Sequence, residues 1–205
     1  MRIDLKKDRK ALYQPGAGDF SEAIVPETGY LAIDGRGDPN TAPQYADAVA
    51  ALFTTAYAVR SVVKREAGLE FVAGPLEGLW WHPDPEVFAS RDKKRWYWTM
   101  LIPLPDQVGE QAVASGLAVA ARKKPGLPVD RVRRLVLNEG RVLQIMHIGS
   151  YDDEAPTLAR LHDEVMPARG LTFNGHHHEI YLGDPRRVTA ARLRTVLRQP
   201  VKPIG

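Results

Sequence analysis

The sequence predicts an α+β fold: two tandem copies of one strand–helix–strand–strand unit, related by a pseudo-twofold axis around a central cleft. Three observations lead there. Gly68-Leu69-Glu70-Phe71 recurs as Gly170-Leu171-Thr172-Phe173, and Glu77 and Glu179 each stand nine residues past the starting glycine. Tyr45, Val49, Leu52, Ala56, Val59 and Val63 recur at steps alternating four and three, which is one buried helical face. Residues 141–151 and 176–182 alternate in the period of two that strands use.

Residues 1–29 are polar and broken by Pro15, Gly16, Gly18 and Pro26, so they read as an N-terminal arm with one short strand. The domain proper spans 30–205, with repeats at about 30–105 and 140–201. Tyr30–Asp34 is the first strand, ended by the turn segment Gly35 to Pro39. Thr41 can cap the helix that follows, Pro43 suits its first turn, and Gly68 its end. Strands are expected over Leu69–Trp81 and Trp96–Leu104, linked through Pro83-Asp84-Pro85 and the charged run near Arg91.

Asp106–Lys124 reads as a helix with Ala112, Val113, Leu117 and Ala120 inward, stopped by Pro125, Gly126 and Pro128. A short helix is expected over Val129–Arg134. The second half opens with a strand over Arg141–Tyr151. Its helix spans Asp153–Ala168, with Leu158, Leu161 and Val165 inward and Gly170 as its stop. His176–Leu182 and Leu193–Pro200 close the chain as strands joined by Gly183-Asp184-Pro185. Each helix start carries an Ala-Pro pair, Ala42-Pro43 and Ala155-Pro156.

Composition narrows the function classes. The chain has 205 residues, 44% hydrophobic, and no cysteine, which excludes disulfide and thiolate chemistry and fits a reducing compartment. The first residues lack the apolar run of a signal peptide, and no stretch approaches the ~20 apolar residues of a membrane span, so a cytoplasmic protein is expected. The net charge is +3, with 28 basic and 25 acidic residues. Basic runs at 91–95, 122–124 and 131–134 lack interleaved aromatics, so they read as solvated turns and helix ends with no nucleic-acid partner. There is no Gly-x-Ser-x-Gly elbow, Walker loop or dinucleotide fingerprint, and no cofactor is expected.

In His177-His178-Glu179-Ile180-Tyr181, period two puts His177, Glu179 and Tyr181 on one face. Glu179 is either a solvent-facing strand residue or a pocket carboxylate that meets a cation or activates water. The run His176-His177-His178 does not make a metal site, because a strand aims neighbours at opposite faces and no zinc-spaced cluster completes it. All four tryptophans fall within nineteen residues. Trp80, Trp81 and Trp98 either pack a hairpin through cross-strand pairs or line a cavity for flat aromatic ligands and cations. His147 and Tyr151 flank Gly149 at a strand end, where Tyr151 is either a turn residue or a hydrogen-bonding phenol near Glu179. Under the duplication, Glu77 approaches the space shared with Glu179.

His147 to Tyr151, Trp96 to Ile102 and, most specifically, His178 to Arg187 resemble the stand-alone GyrI-like proteins, over about Tyr30 to Val201. That family is similar to the effector-binding domains of multidrug-responsive transcription activators and to the gyrase inhibitor. The resemblance implies paired strand–helix–strand–strand units and a cleft that takes hydrophobic, often cationic or polyaromatic compounds, with a glutamate at its floor. Some stand-alone members hydrolyse cyclopropanoid DNA-alkylating compounds. Glu179 matches the glutamate position, and Tyr151, Trp98 and Tyr181 are carried over with it. The regulators' helix-turn-helix has no counterpart in the fewer than thirty residues before the first strand. Three functions follow as expectations. One is a cyclopropanoid hydrolase with Glu179 as general base. A second is a drug-sequestering or effector-sensing binder. A third is a gyrase-inhibitor-like protein partner, which would want a dense acidic run that the chain lacks.

Overall fold

The computed structural model describes residues 2–84 and 92–205. The part of the expected hairpin link at 85–91 lies outside the described residues. The chain divides into two compact units: Met1–Asp8 with Thr28–Leu137, and Arg9–Glu27 with Asn138–Gly205.

In the first unit, β1 (Arg2–Ile3) pairs in parallel with β4 (Glu70–Phe71), and α1 is Leu5–Asp8. The main antiparallel sheet joins β3 (Thr28–Arg36), β5 (Leu76–Trp81), β6 (Tyr97–Leu104) and β7 (Arg133–Leu137) in the order β7-β3-β6-β5. Helix α3 (Pro43–Ala67) covers it, burying Ala48, Leu52, Thr55, Val59 and Val62. These positions repeat at helical spacing, so burial follows directly from the periodicity. By length and composition α3 could cross a membrane, yet half of its most apolar stretch is buried, and it packs on β3, β6 and α4 (Glu110–Lys123). Gly116 of α4 sits where a Cβ would strike Val59, so the two helices approach closely.

In the second unit, α2 (Lys10–Tyr13) precedes β2 (Ser21–Val25), which forms an antiparallel sheet with β8 (Gly140–Ile148), β10 (His177–Tyr181) and β11 (Arg194–Pro203) in the order β2-β8-β11-β10. β9 (Leu171–Phe173) pairs with the far end of β11. The helical layer runs through a 3-10 turn (Tyr151–Glu154), α5 (Ala155–Arg160), a π-helical turn (Leu161–Val165) and α6 (Met166–Ala168). Phe20, Leu143, Ile145, Leu161, Met166, Leu171, Leu197 and Val201 form one core cluster.

Each unit therefore runs strand, helix, strand, strand, and in each the last strand lies between the other two: β3-β6-β5 and β8-β11-β10. The helices end alike. Gly68 and Gly170 take φ of 64° and 63°, the left-handed region that glycine enters without a Cβ clash. Each is followed by a short strand, β4 or β9.

Several elements differ from the sequence expectation, among them the helix expected over Asp153–Ala168, which a 3-10 turn and a π-turn interrupt. Leu69–Trp81 is two strands, because Pro75 has no N–H to give a ladder. Val129–Arg134 is a 3-10 turn over Val129–Arg131, followed by β7. That strand exists because β3 offers it an edge from Thr28 to Ala32. Residues 9–27 belong to the second unit: β2 pairs with β8, and Arg141 grips Glu22 with two hydrogen bonds at 2.6 and 2.9 Å.

Candidate functional site

β10 is the element that matters most. Its register against β11 puts His178 opposite Arg198, Glu179 opposite Leu197, and Tyr181 opposite Thr195. Strand alternation then gives two chemically distinct faces. His178 and Ile180 point into the interior, while His177, Glu179 and Tyr181 line the other face.

On the interior face polar side chains bind one another. Glu139 Oε1 lies 2.9 Å from His178 Nδ1, and Arg198 Nη1 reaches Glu139 Oε2 at 3.4 Å. Arg198 also donates to Gln144 Oε1 and to the Leu12 carbonyl, and Gln144 donates to the Ala11 carbonyl. Burial alone would raise the Glu139 carboxyl, but the charges and hydrogen bonds of His178 and Arg198 outweigh it and hold it at about 2. This network fastens residues 11 and 12 to the sheet and is structural.

The other face is different. Tyr181 donates its hydroxyl to Glu179 Oε2 at 2.7 Å. His177 Nε2 lies 3.3 Å from Glu179 Oε1, and the two side chains are 11% and 12% exposed. The Tyr151 ring meets Tyr181 edge-on, centroids 5.6 Å apart. Burial, and then the carboxylates of Glu154, Glu179 and Asp184, push the Tyr151 phenol up to about 12, so it stays a protonated donor. The π-helical turn carries His162, whose ring lies edge-on to Phe173 at 5.0 Å. Burial, and then the charge of His177, push His162 down to about 4. A single π-turn adds a residue to the helix and re-aims the side chains around it.

Of the residues expected from sequence, Glu179, Tyr181 and Tyr151 thus come together in the second unit. His147 lies at the end of β8, its Nε2 3.0 Å from the Ser150 carbonyl, while Ser150 donates to Asp153 at 2.6 Å in the turn opening the helical layer. Glu77, Trp80, Trp81 and Trp98 lie in the first unit. Glu77 is fully buried on β5 opposite Leu101, as Glu179 on β10 is opposite Leu197. Trp98 is 1% exposed, packed edge-on against Tyr45 at 5.2 Å and lying over Gly35, where any Cβ would overlap its ring. Trp80 is buried and edge-on to Trp96, and Trp81 stacks on Tyr97 at 4.9 Å across the hairpin. Among the described residues, no three His, Cys, Asp or Glu side chains are grouped so that they could hold a metal ion.

Comparison with known proteins places the chain in a family. The model of the GyrI-like small molecule binding domain matches residues 21–202. The chain belongs to the GyrI-like family. Two solved structures are similar to this GyrI-like domain over 98% of its length and 100% of theirs: an uncharacterized conserved protein from Listeria innocua, at 35% identity and TM-score 0.89, and a hydrolase from Listeria innocua, at 33% identity and TM-score 0.84. The C-terminal domain of EcmrR is similar in fold, with 11% identity and TM-score 0.54 over 91% of this chain and 98% of that one. No curated protein matches the chain.

Sequence reasoning placed His177 on the face of Glu179 but gave it no role. Nothing in the sequence marks His162 as a neighbour of His177. No periodicity signals His162, because a regular helical count does not anticipate a π-turn.

Proposed function

We propose that this GyrI-like domain binds a flat, hydrophobic small molecule with Glu179 as its polar anchor, and hydrolyses a strained cyclopropanoid ring in it. The observation that carries the reading is the setting of the Glu179 carboxylate: largely buried, with Oε2 held by the Tyr181 hydroxyl at 2.7 Å and Oε1 on the side of His177. A carboxylate kept out of water is costly unless it is paired or used. Tyr181 fixes one oxygen, which leaves the other to accept a proton.

In the proposed reaction the oxygen of a water bonds to a carbon of the strained ring. The ring C–C bond breaks, and its electron pair passes to a conjugated carbonyl, leaving an enolate oxygen. Glu179 takes the proton released by the water, and the enolate is protonated last. The net change is addition of one water, with nothing oxidised or reduced. Tyr151 and Tyr181 supply aromatic surface for the ligand, and Tyr151 a phenol donor. The similarity at 33% identity to a hydrolase supports chemistry beyond binding.

A second reading rests on the same carboxylate: a binder that sequesters or senses a cationic aromatic compound, with Glu179 as counter-ion and no reaction. Incubating wild type and Glu179→Gln with a cyclopropanoid, and following ring-opened product by chromatography, separates the two. Product from wild type and a loss of about 100-fold or more in the variant supports the hydrolase. Equal turnover by both removes Glu179 from the mechanism.

A further inference from the structure

We infer that His177 is the proton partner of Glu179: the pair shares one proton, which His177 Nε2 receives from the carboxyl and returns to the opened product. The inference rests on the proposed function and adds a second residue to its chemistry.

The geometry begins with the strand. His177 and Glu179 are two apart on β10, so their side chains leave the same face, and Nε2 stands 3.3 Å from Oε1. The three histidines nearby in space or sequence serve other ends. His178 is tied through Nδ1 to Glu139 on the interior face. His147 is engaged at the Ser150 carbonyl. Burial pushes His176 toward its neutral form. Unlike these, His177 has both ring nitrogens buried without a hydrogen bond among the described residues, and its Nε2 stands against the Glu179 carboxylate at 3.3 Å. A buried imidazole with uncommitted nitrogens is expensive to keep unless it does something.

The surroundings favour a carrier. From the helical layer His162 faces His177, with Asp163 beside it, and burial followed by the His177 charge keeps His162 neutral down to about pH 4. His162 therefore does not compete for the proton in neutral solution. From β10 and the turn before α5, the phenols of Tyr181 and Tyr151 face Glu179. Tyr151, held up to about 12, donates rather than accepts. On the opposite strand face Glu139 and Arg198 are satisfied by each other and by His178. What remains to take a proton from Glu179 is His177.

The balance closes. Water loses one proton to Glu179 Oε1 as its oxygen bonds to carbon and the ring C–C bond breaks. That proton passes to His177 Nε2, giving imidazolium beside carboxylate. The imidazolium then protonates the enolate oxygen, and both side chains return to their starting states.

The test uses the full chain. His177→Gln is expected to lose about 100-fold in turnover with little change in ligand affinity, and His177→Ala to regain part of the loss with added imidazole. His177→Gln turning over like wild type with the same pH profile, while Glu179→Gln is inactive, overturns the inference and leaves the proposed function standing. If wild type yields no product, the hydrolase reading fails, and calorimetry in buffers of different ionisation enthalpy decides the pairing. A permanent aryl cation, tetraphenylphosphonium, is expected to displace a proton on binding in wild type and none in His177→Gln. No buffer dependence in either protein, or the same dependence in both, overturns the shared proton.

Discussion

Glu139→Gln is the sharpest structural perturbation. The carboxylate it replaces is buried with His178 and Arg198, whose side chains are 0% and 3% exposed. Its pKa falls from 4.5 to about 2 against the opposing pull of burial. At about 1.4 kcal/mol per unit, the folded state favours the ionised carboxyl by roughly 3 kcal/mol. The sign follows from linkage. A carboxyl depressed in the folded state adds stability in full above its unfolded value near 4.3, and that stability is lost as pH falls toward 2. The amide keeps the shape but removes the buried negative charge that balances the Arg198 guanidinium, whose bonds to Gln144 and Leu12 remain. Breaking a buried pair from one side costs about 3–5 kcal/mol. Urea unfolding at pH 7 followed by circular dichroism should show the midpoint dropping with m unchanged, and Tm should fall by roughly 10 °C. Wild-type stability within about 1 kcal/mol, or an unchanged acid limb between pH 4 and 2, would refute the claim that this triad fastens the sheet to residues 11 and 12.

Other outcomes follow from single contacts. Gly35→Ala puts a Cβ inside the Trp98 ring and should cost about 1–3 kcal/mol in urea unfolding, with the cost reduced when Trp98 is also cut to Leu. Tyr151 should stay un-ionised well past pH 10 in an ultraviolet titration of the folded protein. Its contribution to stability is full below the unfolded value near 10 and is lost as pH rises toward 12. His162, depressed to about 4, contributes stability above about pH 6.5 that is lost as pH falls toward 4. In His177→Gln its proton resonances should titrate at higher pH, since one cause of the depression is gone.

Much of the architecture was legible in local patterns. The repeat at Gly68 and Gly170 marked two helix ends that share the same left-handed backbone and lead into β4 and β9. Period two put His177, Glu179 and Tyr181 on one face, as the register with β11 has them. What local pattern cannot carry is partnership across long separations. β7 needed the β3 edge a hundred residues upstream, and β2 needed β8. The aromatic cluster showed the same limit. Composition marked four tryptophans as one group, but only the slot over Gly35 decides that Trp98 fills the interior. At the site, the π-turn sets the His162 ring against Phe173, a placement no helical periodicity announces.

The anchor role of position 179 is tested most directly by comparing two ligands of matched shape, one a permanent aryl cation and one neutral, on wild type and Glu179→Gln by calorimetry. Losing the carboxylate should weaken the cation by about 10- to 100-fold and leave the neutral compound nearly unchanged, the worth of one charge-assisted contact. Equal affinity of both proteins for the cation would contradict the account at its root.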